Sequence, residues 1–227
     1  YGGMSLLNDE DTAETNALSV TGSDAVDTTP RGLYLTSLTG GLTSSTAYDC
    51  WLFDNANAVI VLKTSPVVTD RILVRNGADV SITTDGAMTL RDSTGVDTSL
   101  TVLNAKFGLT AAGDIVLDHL ASTGGNVTLT SVGGAITSKD WTAADTTANI
   151  TAKKAVTVGT VAITDKDSKV DTFSAGSTGA GVTVTGATVT GDKLALTSGG
   201  DMAVTSLTTS AGAKLDFLVV GVGSGGT

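Results

Sequence analysis

The residues able to perform acid–base, nucleophilic or metal chemistry are few and scattered. The single histidine, His119, lies between Asp118 and Leu120, and the single cysteine, Cys50, precedes Trp51. A Ser-His-Asp arrangement needs three converging groups, whereas neighbours on a strand point to opposite faces, so Asp118–His119 reads as an ordinary polar pair. Asp165 and Asp167 share a face if extended, as do Asp9 and Asp11, and paired carboxylates about 5–10 Å apart are what glycoside hydrolysis requires. The chain has 21 Asp, however, and chance pairs follow from that number, so turn-forming Asp is the favoured reading. Residues 221–226 (GVGSGG) formally match G-x-G-x-x-G, but a dinucleotide site needs a helix opening at that turn, and the segment reads as a flexible tail.

No catalytic residue and no cofactor is therefore expected. Asp-rich turns offer the hard oxygen ligands that Ca²⁺ prefers, yet neither the G-G-x-G-x-D repeat nor an EF-hand loop occurs, and the sequence singles out no metal site. One cysteine and one histidine exclude an internal disulfide framework and multi-Cys or multi-His zinc sites. Cys50 reads as a small buried thiol, with pairing between subunits as the alternative. The sequons at Asn126 and Asn149 are formal glycosylation acceptors that a Thr-rich chain produces by chance.

The elements that must carry these residues are strands. Of 227 residues, 40 are Thr and 28 are Gly, while only 2 of the 23 acids are Glu. Thr and Val are stiff at χ1 and fit a pleated surface, whereas Asp and Gly suit turns. Short apolar–polar alternations recur at 80–82, 88–90, 100–102, 115–117, 127–129, 135–137, 156–158, 161–163, 182–184, 194–196 and 202–204. Gly-Gly, Gly-Asp and Asp-Gly punctuate the gaps. Segments 113–130 and 191–205 share one frame: Gly-Asp, an apolar strand, a turn ending in Gly-Gly, and a second apolar strand. Strands this short, with aromatics at 4%, fill a thin core better than a wide one. They predict an all-β chain, a parallel β-helix of about 20 residues per rung, with a β-sandwich as the alternative. Val116, Val127, Ile136, Val156, Val182, Leu194 and Val204 are the expected inward positions.

Three regions differ in texture. Residues 1–29 carry six acids and no base and read as an acidic extended arm, within which 17–21 is strand-like. Residues 31–220 read as one β-helical domain, with 31–75 a bulkier, cap-like start and 77–220 the repeats. Residues 221–227 form the Gly-rich tail. The start at Tyr1 without a leader reads as a processed piece of a longer product. A net charge of −10 argues against nucleic acid and anionic membrane surfaces, and no apolar run is long enough to span a bilayer.

The frame at 113–117 (GDIVL), 124–129 (GGNVTL) and 199–204 (GGDMAV) resembles the repeats of filamentous-haemagglutinin-like adhesins and of other bacterial β-strand-repeat surface proteins. The resemblance spans residues 77–217. It implies a right-handed parallel β-helix, an extracellular or cell-surface location, and adhesive or structural use without catalysis. It carries no site residue over. The expected partner is a second copy of the chain, with a surface glycan or protein as the alternative, and a carbohydrate-active β-helix enzyme is the rival reading. Terminal strands that complete a neighbour's sheet would assemble such a chain head to tail. Leu18 and Val20 in the arm, with Leu215, Phe217 and Val219 near the other terminus, are the expected assembly residues.

Overall fold

A computed structural model describes residues 4–6, 16–21, 31–36, 42–44, 50–55, 57–63, 66–91, 99–167 and 171–220, with side chains from Trp51 onward. Its elements are all strands. They run β1 (Met4–Leu6), β2 (Asn16–Thr21), β3 (Arg31–Thr36), β4 (Leu42–Ser44), β5 (Cys50–Asp54), β6 (Asn57–Lys63), β7 (Val67–Thr69), β8 (Arg71–Arg75), β9 (Asp79–Thr84), β10 (Met88–Leu90) and β11 (Leu100–Leu103). They continue with β12 (Lys106–Ala111), β13 (Ile115–Thr123), β14 (Asn126–Ser131), β15 (Ile136–Ala144), β16 (Thr147–Ala152), β17 (Val156–Thr164), β18 (Thr172–Ser177), β19 (Val182–Thr190), β20 (Lys193–Ser198), β21 (Met202–Thr209) and β22 (Lys214–Val219).

The strands wind into a β-solenoid of about seven turns, at roughly 20 residues per turn. One face stacks β3, β6, β9, β12, β14, β16, β18, β20 and β22. The opposite face stacks β13, β15, β17, β19 and β21; before β13 each of its rungs is split into two short strands, such as β7 and β8 or β10 and β11. β13 fuses the two halves, pairing with β10 through Ile115–Leu117 and with β11 through Leu120–Thr123. The strand pairs are parallel, which removes the β-sandwich alternative.

Alternation along each strand sends every second side chain inward, and parallel register stacks those side chains into columns. Val80, Phe107, Val127, Ala148, Phe173 and Leu194 form one column, and Ile82, Leu109, Leu129, Ile150, Ala175 and Leu196 the next. All twelve are buried. Across the core, Trp141 packs on Phe173 with ring centroids 5.0 Å apart, and Ala148 keeps that part of the facing column small. Burying one Val, Leu or Ile in this way contributes about 1.5–3 kcal/mol.

Five of the seven expected inward residues, Val127, Ile136, Val156, Val182 and Leu194, are buried. Val116 is not. It follows the inward Ile115 in a strict alternation and so faces solvent, 37% exposed. Val204 occupies an inward register position opposite Val184 but is only half-buried, because β21 is the last strand of its face.

The corners are built from residues chosen for turns. After each strand of the first-described face the chain ends on Thr84, Ala111, Ser131, Ala152, Ser177 or Ser198, in register. Buried Ser131 Oγ donates to Gly113 O at 2.7 Å and accepts from Gly134 N at 3.0 Å; Ser177 repeats this with Lys154 O and Ala180 N. At the corner after the other face, Asn55, Asn76, Asn104 and Asp145 adopt positive φ, a conformation that Asn, Asp and Gly tolerate best. Gly124 and Gly191 take the same place in other rungs with φ of 64° and 83°. Backbone bonds such as Asn104 N to Thr123 O and Gly124 N to Ala144 O carry the parallel ladder through these turns.

Candidate functional site at the aspartate corner and the open end

Three places on the solenoid gather polar or unpaired groups. The first is the bend within β13 and β15. His119 Nδ1 lies 2.8 Å from Asp140 Oδ2 on the next rung, while Asp118 pairs with Lys139 at 3.0 Å. Ser99 completes the types of a Ser-His-Asp set. Its hydroxyl is buried, however, and is engaged by the backbone of His119, donating to the carbonyl at 2.8 Å and accepting from the N–H at 3.0 Å. A hydroxyl held this way props the bend and presents no nucleophile toward solvent. Along the same bend Arg91 donates to Asp70 at 2.7 Å, so alternating charges climb rung by rung. Neighbouring sequence could not pair His119 with Asp140, because their proximity depends on the rung length.

The second place is the Asn–Asp corner. Its early rungs form an open groove of about 370 Å³ lined by Asn57, Asp79, Asn104, Lys106 and Asn126 around Gly124 and Gly125. Beneath it, Asp54 Oδ1 accepts from Asn76 Nδ2 at 2.6 Å and Oδ2 from Arg75 at 2.8 and 3.0 Å. The Asn76 hydrogen bond first, then the Arg75 bonds, hold the Asp54 carboxyl below the usual aspartate value. Three rungs further on, carboxylate oxygens of Asp145, Asp165 and Asp167 all lie within 4.8 Å of one another. Asp145 Oδ1 accepts from the N–H groups of Lys166 and Asp167 at 2.6 and 3.2 Å, and Asp165 Oδ1 accepts from Asp167 N at 3.0 Å. The sequence pairs Asp165 with Asp167; Asp145 joins them only because it occupies the same corner one turn earlier.

Asp192 lies behind this cluster. It sits at the inner corner position held by Ala78, Ala105, Gly125, Thr146 and Asp171 in the preceding rungs and is 1% exposed. Its Oδ1 accepts from Asp171 N at 3.0 Å, whereas its Oδ2 is buried with no hydrogen-bond partner. Desolvation pushes this carboxyl above the usual aspartate value; the Asp171 N–H opposes the shift, and the charges of Asp165, Asp171 and Asp145 add to it.

The third place is the open end at β21 and β22. In register, Leu215 continues the column of Leu194, Phe217 that of Leu196, and Val219 that of Ser198. These are core positions, yet Leu215, Phe217 and Val219 are 43%, 41% and 54% exposed. Leu207, Leu218 and Val220 extend the apolar surface around them. Of the other expected assembly residues, Leu18 and Val20 lie in β2, which pairs with β5, and their side chains fall outside the described residues. Cys50 opens β5 and its side chain falls outside them too, as do residues 221–227 and the Asp9–Asp11 pair.

The fold thus defines the chain as a β-solenoid whose polar features lie along its corners and bend. Comparison with protein-family models, with curated proteins and with solved structures finds no match.

Proposed function

We propose that the chain is an extracellular structural protein of the surface-adhesin or fibre type, which assembles head to tail by adding a neighbour's strand to an open rung. The observation that carries this reading is the end at β22. Three core columns continue through Leu215, Phe217 and Val219 with nothing stacked above them among the described residues. A further parallel rung would cover those side chains and satisfy the outward N–H and C=O groups of β22 together. A head-to-tail contact repeats without closing unless a rotation forms a ring, so a fibre is its natural product. At the bend the Ser99 hydroxyl is engaged by the backbone of His119, and at the corner Asp145 Oδ1 and Asp165 Oδ1 accept backbone N–H groups, which favours a structural role for these residues over the enzyme reading.

The experiment is sedimentation velocity and light scattering across a concentration series, with wild type beside Phe217→Asp. Wild type should shift to larger species with concentration and elongated particles should appear in negative stain, while Phe217→Asp stays monomeric with an unchanged far-ultraviolet spectrum. A strictly monomeric wild type at high concentration would refute the reading. A glycan-binding module remains the second reading, favoured by the groove at Asn57, Asn104 and Asn126, whose side-chain amides suit sugar hydroxyls. Binding on a glycan array that Asn104→Ala abolishes would support it.

A further inference from the structure

We infer that the open end takes up the first rung of a second copy, β1, β2 and β3, in the same register by which rungs stack within the chain. The inference rests on the head-to-tail reading above and names the surface that fits it. Among the described strands, β3 and β22 are the two edges of the nine-stranded sheet, while the other sheet ends on β1 and β2 at one end and on β21 at the other.

An outward column points to this partner. Register runs it from Tyr34 and Val61, through Thr or Gly in each of six rungs from Thr83 to Thr197, to Leu218. Its middle suits a solvated face, whereas both of its ends are apolar. Leu218 is 53% exposed and stands beside Thr197, with no apolar neighbour in its own column. A second copy stacked in register sets the Tyr34 position about 4.8 Å from Leu218, with Val61 one rung beyond. The three then form one apolar patch that exists only at the junction and leaves water there. Two copies meeting tail to tail gain no such patch, because antiparallel pairing of β22 centred on Phe217 sets Leu218 against Asp216.

The core columns agree. Leu33 and Leu35 share register with Ile60 and Leu62, which are buried, so at the junction their positions follow Phe217 and Val219. On the other face one continuous strand, β21, must meet two short ones. β13 already makes such a join, with β10 through Ile115–Leu117 and with β11 through Leu120–Thr123. Met202 and Leu207 hold the register positions of Ile115 and Leu120, and Met4 and Leu18 hold those of Met88 and Leu100. The same join therefore brings the Met4 position to Met202 and the Leu18 position to Leu207, whose side chain is 39% exposed. Arg31, the charged residue among these core positions, opens its strand over Leu215. An arginine stem covers apolar surface while its head group stays in water.

The test places cysteine pairs in the full chain with Cys50→Ser, so that only the designed pairs oxidise. In register Gly32 meets Asp216, and rung spacing sets their Cα atoms about 4.8 Å apart, within disulfide reach. Gly32→Cys with Asp216→Cys should therefore oxidise to a ladder of covalent multimers. Gly32→Cys with Leu218→Cys, about 8 Å apart in that register, should give few. Leu218→Thr restores the residue type of the rung before it. It should keep the wild-type far-ultraviolet spectrum and raise the concentration needed for assembly about tenfold. A wild type that assembles while both cysteine pairs cross-link equally, or neither does, would overturn this inference and leave the fibre reading standing. Unchanged assembly by Leu218→Thr would overturn it too, whether or not the cysteine variants fold. Discrete dimers cross-linked through Asp216→Cys alone would overturn it by showing tail-to-tail pairing. A strictly monomeric wild type would remove the fibre reading itself, and this inference with it.

Discussion

Leu194 and Leu215 are the same residue in the same column, one rung apart, and differ only in what lies above them. Leu194 is fully buried, whereas Leu215 is 43% exposed. Leu194→Ala removes buried methyl groups and leaves a closed cavity, a change that costs about 2–5 kcal/mol, so about 3 kcal/mol is expected. Leu215→Ala opens no closed cavity, and only the buried part of its side chain loses transfer energy, so about 1 kcal/mol is expected. For a chain of this length a difference of about 2 kcal/mol corresponds to about 4–8 °C in melting temperature. Urea unfolding followed by circular dichroism, at concentrations where the protein is monomeric, gives both values. A solenoid's stability sums over rungs and their interfaces, so the Leu215 variant should also show faster amide exchange confined to β22. Equal costs for the two substitutions in the monomer would refute the reasoning, because they would mean that β22 is covered and the end is not open.

Three further outcomes follow from the corners and bends. Gly159→Ala should destabilise the fold by about 1–3 kcal/mol in the same unfolding assay, because its Cβ would run into the backbone carbonyl of Lys139 on the adjacent rung, which cannot rotate away. Ser131→Ala strips the partner from the buried Gly134 N–H and should cost about 1–3 kcal/mol, with local loss of amide protection at 132–135. Asp54 has a folded pKa below its unfolded value, so below about pH 4 the unfolded chain takes up its proton first. Its stabilising contribution is therefore complete above that pH and is lost as pH falls through the lowered folded value. Melting curves of wild type and Asp54→Asn should accordingly converge toward acid and separate above about pH 4.

The strand identity of most of the chain is visible in its Thr, Val and Asp usage, and the rung frame is visible wherever Gly-Gly precedes an alternating run. Val127, Ile136, Val156, Val182 and Leu194 are inward as that alternation predicts. The error at Val116 is instructive: a three-residue apolar run, Ile115-Val116-Leu117, hides which parity faces the core, and only its register against Met88–Leu90 resolves it. Two strands, β12 and β18, carry Gly108 and Gly176 at outward positions and so lack a clean alternating signature.

Sites are less legible than strands because they form perpendicular to the chain. His119 meets Asp140, and Asp145 meets Asp165, across separations of about one turn, which local sequence spacing does not reveal. A strictly periodic solenoid would have exposed these columns as identical residues at a fixed interval. Here the interval changes: Ile136 faces Val156, but Val156 faces Val182, because the turn from 165 to 171 is longer than its neighbours. That longer connection also carries Asp165, Asp167 and Asp171, and the N–H of Asp171 donates to Asp192 Oδ1 at 3.0 Å. This is one of the lengthened intervals that obscure the repeat in the sequence, another separating Met88 from Ile115, and it is the one that gathers Asp165 and Asp167 beside Asp145. In a rod built from near-uniform rungs, departures from uniformity are where chemistry has room to form.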